Sequence, residues 1–162
     1  MSRWLDRLFD FERPETPGER VRYRLLELFL LGWAVYYAWA WGVFIRKIPA
    51  LVVPQGIARE VDLSFLVGSD LPLVNAALVT LCAAAVLLGR GARAGSLLLV
   101  LLLHVQFVAR HSLGKVSHGS HYVGLGLLML ALALWLMPTP LARRRFVLGG
   151  TLLFMGAGYV CA

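Results

Sequence analysis

All four histidines of this chain, His104, His111, His118 and His121, fall within eighteen residues, with Arg110 and Lys115 among them. Imidazole is the side chain that gains and loses a proton near neutral pH and the one that most often ligates a metal. His111, Lys115, His118 and His121 are therefore the candidate catalytic residues. Arg110 and Lys115 form a candidate anion site. No acidic residue follows Asp70, so Glu60 and Asp62 are the nearest acids available to pair with those cations.

Four arrangements fit the cluster. In the first it is structural: the cations pair with Glu60, Asp62 or lipid phosphate while the histidines hydrogen-bond at an interface. In the second it binds an anionic or quinone-like small molecule, a histidine and a cation polarising an oxygen. The third is haem or chlorin ligation. His104 and His111, seven apart, share a helix face, and either one opposite His121 would complete a single axial pair. The fourth is a zinc site built from His118, His121 and a carboxylate. As metal ligands the candidates are thus His104, His111, His118 and His121.

The elements that must hold these groups are long and apolar. Leu71 to Leu88, Ala94 to Ala109, Tyr122 to Leu141 and Phe146 to Ala162 carry no charged residue, and the composition is 59% hydrophobic with a mean hydropathy of +0.73. At about 1.5 Å per helical residue such runs approach the ~30 Å of a bilayer core, where only self-satisfied backbone survives. The expected fold is all-α and integral to the membrane: a four-helix transmembrane bundle with a fifth C-terminal span and an N-terminal interfacial helix. The spans are placed at about 25–45, 71–88, 94–111, 121–137 and 146–162. Residues 1–21 form a polar cytoplasmic segment and 22–162 one transmembrane domain.

Several local signals refine this outline. Trp4, Leu5, Leu8 and Phe9 recur at helical spacing opposite Arg3, Asp6, Arg7 and Asp10, which suits a helix lying on a membrane surface or on a partner. Pro14, Pro17 and Gly18 read as a break before the first span. Acidic residues and prolines before that span argue against a cleavable signal peptide. Glu27 can pair with Arg24 or reach the headgroups, and Trp33, Tyr37 and Trp41, spaced four apart, form an aromatic belt or a stacking stripe. Ser69, Asp70 and Pro72 read as a helix cap and first turn. The break Gly89 to Arg93 is short enough to make its flanking helices antiparallel neighbours. Cys82 and Cys161 have no metal or redox spacing and read as small packing residues.

The net charge of +7 is distributed as flanks to apolar runs, so it points to anionic lipid headgroups and away from nucleic acid. Counted on alternate sides of the spans, eleven basic residues fall on the N-terminal side and five on the other. The positive-inside rule then places the N-terminus in the cytoplasm of a bacterial inner membrane, with the Arg46–Asp70 and Ser112–Ser120 connections outside.

One more pattern bears on family. The first span leads into the proline- and glycine-containing loop Ile48 to Gly56. A tight hairpin follows, and then the stretch Leu103 to His118. Over roughly Arg22 to Met137 this order resembles the four-helix membrane domain called HTTM, shared with vitamin K-dependent γ-carboxylases, and the neighbouring DoxX-type small membrane proteins. The resemblance implies a four-helix bundle and an association with carboxylation, quinone or thiol redox chemistry. The chain departs from the carboxylases in having no large soluble domain after the membrane part and no stretch matching their catalytic lysine region. Lys115 is therefore not assigned that role, and γ-carboxylation is not expected. The function these readings favour is an accessory or redox-associated subunit of a larger membrane assembly, with membrane lipids and other membrane subunits as partners. Gly149, Gly150, Gly156 and Gly158 would allow a partner helix to approach closely. The alternative is a membrane enzyme or cofactor-binding protein that holds quinone, haem, chlorin or a metal at the histidine cluster.

Overall fold

Two threonine–proline pairs start two of the helices. Thr16 precedes Pro17, and the helix α1 runs Pro17–Arg46. Glu19 reaches back to accept the Thr16 backbone N–H at 2.9 Å, one half of a capping box, while proline in the first turn forfeits an amide that would have had no partner. Thr139 precedes Pro140 in the same way, and its Oγ1 accepts the Ala142 N–H at 3.2 Å at the start of α5, Pro140–Val160. Between them lie α2 (Leu71–Leu87), α3 (Ala92–Ser112) and α4 (Gly119–Leu136), with a 3-10 turn at Ser64–Leu66 ahead of α2. The computed structural model describes residues 9–11, 13–47, 60–61, 64–112 and 119–160. Among them the chain is all-helical, with five α-helices and no strand.

The helices extend beyond the apolar runs. α1 takes in the cationic stretch Arg20 to Arg24, and α5 takes in Arg143, Arg144 and Arg145, which hydropathy alone sets apart as a flank. Proline explains the difference, because in a first turn it begins a helix as readily as it ends one elsewhere.

The chain divides into two compact units. The first contains α1 up to Leu31 together with α4 and α5. α4 and α5 are joined by the short link Met137–Thr139 and pack on one another, Gly150 facing Met129. Gly126 of α4 faces Leu30, whose Cδ2 stands 2.7 Å from where a Cβ would be. Of the surface helix expected over Ser2–Phe11 most lies outside the described residues, but the described residues ahead of α1 fold onto α5. Phe9 lies against Phe146, ring centroids 5.2 Å apart, and its ring occupies the space a Gly149 side chain would need. Asp10 turns the chain there with a φ of 49°, a conformation a short polar side chain tolerates best. Gly149 and Gly150 are thus used by this chain's own Phe9 and Met129. At Gly156 a Cβ would meet nothing within 4 Å.

The second unit contains α1 from Gly32, α2 and α3. Gly89 and Gly91, with φ of 69° and 67°, turn the α2–α3 connection through a backbone region that glycine enters freely. The two helices run antiparallel, since Asn75 meets Leu102 and Gln106 while Cys82 and Ala85 meet Gly95. α1 approaches α2 closely at Gly42, where a Cβ would stand 2.9 Å from the Pro72 carbonyl oxygen. The interior of this unit mixes small side chains with larger ones such as Ile45, Val79 and Leu99. Ala34, Ala38, Ala76 and Ala83 are at most 3% exposed, whereas Tyr36, Leu81 and Leu101 are more than 60% exposed. The alanines let helix backbones come together, while many large apolar groups point outward.

Candidate functional sites

The histidine cluster is only partly within the described residues. His104 is exposed on α3, its ring stacked against Phe107 with centroids 6.4 Å apart. Arg110 and His111 sit in the last turn of α3, and His121 in the first turn of α4, with side chains outside the described set. Lys115, His118 and Asp62 lie outside the described residues altogether. Glu60 is exposed, and because the Arg110 side chain, Lys115 and Asp62 lie outside the described set, so does the pairing expected between the outer cations and Glu60 or Asp62. Among the described residues no group of three histidine, cysteine or acidic side chains is arranged to hold a metal ion.

The strongest charge constellation stands elsewhere, in the first unit. Arg145 is 6% exposed and Glu19 also 6%, and Arg145 Nη2 donates to Glu19 Oε2 at 3.2 Å. The same guanidinium donates to the backbone carbonyls of Asp10 and Pro14, the latter at 3.1 Å. Arg13 donates to the other Glu19 oxygen at 2.8 Å, and Arg144 pairs with Glu15 at 2.7 Å. The Thr16 N–H and the Arg145 guanidinium, followed by Arg13, hold the Glu19 carboxyl down to about 2, against the opposing effect of burial. A charge-assisted network of this kind stands in for water around a buried carboxylate and fixes the N-terminal segment onto α5. Its central pairs, Arg145–Glu19 and Arg144–Glu15, join residues more than 120 positions apart, a distance no local spacing signals. The one legible trace is the capping-box spacing of Thr16 and Glu19.

A second, smaller group lies further along α1. Glu27 is buried and accepts from the Tyr23 hydroxyl at 2.9 Å and from Arg24, the pairing its position suggested. Burial, and then the Glu27 charge, push the Tyr23 hydroxyl well above its ordinary range, so it remains a donor.

In the second unit the polar groups serve the helix junction. Gln106, 3% exposed, donates from Nε2 to the Ala38 carbonyl of α1 at 2.7 Å, and its Oε1 accepts from Asn75 of α2 at 3.4 Å. One amide therefore ties three helices. Trp33 stacks on Tyr37 with centroids 4.7 Å apart and Trp41 lies tilted against Tyr37 at 6.1 Å, the shared face that their spacing predicts, while Phe44 meets Trp41 edge-on at 5.1 Å. Trp39 instead turns to α2 and donates to Thr80 Oγ1 at 3.1 Å. Asp70 sits at the N-cap of α2 without a side-chain cap bond, and its carboxylate pairs with Arg46 at 2.8 Å. Ser69 likewise makes no cap bond, its Oγ donating to the carbonyls of Phe65 and Leu66. Comparison with known proteins finds no matching family model, curated protein or solved structure.

Proposed function

We propose that this chain is an integral membrane helical bundle that serves as an accessory or redox-associated subunit of a larger membrane assembly. The observation that carries the reading is the number of large apolar side chains left exposed. Alanines line the helix contacts of the second unit, while Leu81, Leu88, Leu101 and Leu152 stand more than 60% exposed. A water-soluble monomer rarely leaves so many large apolar side chains uncovered, and lipid tails or partner helices are the surroundings that suit them. α1 and the Ala92–Ala109 part of α3 are long and apolar enough to cross a bilayer. α2 and Val123–Leu136 are shorter apolar helices that a tilted or thinned bilayer accommodates. In this reading the Arg145–Glu19 network lies at the cytoplasmic surface, where the basic residues are most numerous, and the likeness to HTTM and DoxX-type proteins supplies the redox association.

The test has two parts. Membranes from cells making the full chain are washed at alkaline pH in carbonate; retention in the pellet is expected, and release overturns the membrane reading. Single cysteines at Arg90 and Lys115 are then labelled from outside the cell. Position 115 is expected to react and position 90 to be protected. Purification in mild detergent completes the test, since copurifying larger membrane subunits support the accessory role. A bound quinone or a Soret band in an isolated chain would instead favour a cofactor-binding protein.

A further inference from the structure

The second unit contains a pocket of about 230 Å³. A dry apolar cavity of ~150 Å³ already accepts a benzene ring, so this one has room for a larger hydrocarbon. Its lining is almost entirely apolar. Ile45, Gln106 and Ala109 form a buried back wall, none more than 5% exposed. On the open side stand Phe65, Val74 and Val105, each more than half exposed. The two amides that reach this wall are turned on helix carbonyls and on each other, leaving little polarity toward the space.

Two of the lining residues, Ile45 and Leu71, have charged chain neighbours. Ile45 is followed directly by Arg46 and Lys47, and the lining residue Leu71 is preceded by Asp70, which pairs with Arg46 at 2.8 Å. Arg46 and Lys47 are both exposed, and Lys47 has no acid within ion-pair distance among the described residues. Arg46 and Lys47 against Asp70 give these flanking residues a net positive charge. An apolar slot of limited volume, open on the side of the exposed leucines and flanked by net positive charge, matches one acyl chain joined to an anionic headgroup.

We propose that the pocket is a binding site for an anionic phospholipid, with one acyl chain against Ile45 and Ala109 and the phosphate at Arg46 and Lys47. The site rests on the membrane reading above. A lipid held there covers the α1–α2–α3 junction at the point where Gln106 ties the three helices.

The experiment uses the full chain in mild detergent, delipidated and offered equal amounts of phosphatidylglycerol and phosphatidylcholine with identical acyl chains. Native mass spectrometry counts the lipid retained. One phosphatidylglycerol per chain is expected, favoured over phosphatidylcholine by about tenfold. Val74→Trp, which fills the open side and leaves the buried wall alone, should lose the adduct. Lys47→Glu, at an exposed position, should bring the two lipids to near parity and carries the test by itself if the tryptophan variant does not fold. A free fatty acid retained in place of the phospholipid would overturn the proposed headgroup contact. Equal retention of both phospholipids by the wild-type chain, or an unchanged preference in Lys47→Glu, would overturn the site. Carbonate extraction keeps the two failures apart. A chain released from membranes loses the membrane reading and this site together, whereas a carbonate-resistant chain without lipid preference loses the site alone.

Discussion

Arg145 and Glu19, 126 positions apart, meet at 3.2 Å in a setting where each is 6% exposed. The pair fixes the start of α1 to the start of α5, and its chemistry sets a pH dependence. The Glu19 carboxyl is lowered from 4.5 to about 2 in the folded chain. A group whose folded pKa is depressed stabilises the fold fully above its unfolded value and loses that contribution as pH falls through the folded one. Stability from Glu19 is therefore complete above about pH 4.5 and disappears between there and about pH 2. Melting of the detergent-solubilised chain across this window should fall more steeply for wild type than for Glu19→Gln. Matching profiles would show that the contacts do not hold in solution.

The strap formed by the N-terminal segment gives a second expectation. Phe9 occupies the space above Gly149, with its Cδ1 2.7 Å from a Cβ placed there. Gly149→Leu should expel the ring and free the segment, so that a glutamate-specific protease cuts after Glu15, otherwise held by Arg144, in the native state well before the helices unfold. Gly156→Leu, on the same helix with nothing within 4 Å, should leave cleavage unchanged.

How far the sequence carries differs from element to element. The helices and the antiparallel hairpin at Gly89 to Arg93 follow from hydropathy and glycine placement, and the Glu27–Arg24 pair from i,i+3 spacing. The starts at Pro17 and Pro140 do not, because proline reads equally as a stop or a first turn unless the threonine before it is weighed as a cap. Arg143 to Arg145 look like a membrane flank, and only the fold reveals that two of them meet Glu15 and Glu19. Asp70 shows the converse, a residue of cap type at the cap position whose charge pairs with Arg46. The histidine cluster, conspicuous by composition, has Lys115 and His118 outside the described residues, so its chemistry stands as the sequence leaves it.

The Gln106 junction offers a quantitative test. Its bond to the Ala38 carbonyl is short, at 2.7 Å, and its contact with Asn75 long, at 3.4 Å. Gln106→Leu should cost about 1 kcal/mol, the net worth of a buried amide bond. A double-mutant cycle of Asn75→Ala with Gln106→Ala should give a coupling below the ~0.6 kcal/mol average for polar pairs between membrane helices. Coupling well above that value would mean the two amides form the principal bond of the junction.

The last expectation contrasts two glycines of α1. At Gly42 a Cβ would stand 2.9 Å from the Pro72 carbonyl oxygen, a backbone atom that cannot swing aside. At Gly32 it would meet nothing within 4 Å. Gly42→Ala must therefore push α1 and α2 apart, at roughly 1–3 kcal/mol, a typical cost of overpacking. Gly32→Ala should be neutral or stabilise by up to about 1 kcal/mol, since alanine is the better helix former. Unfolding of both variants in the same mixed-micelle titration checks the pair, because any general effect of a helical methyl group is common to the two. Equal stabilities would mean that α1 and α2 are not in contact at Gly42, and the back wall of the Ile45–Ala109 pocket would then lack the close helix approach that forms it.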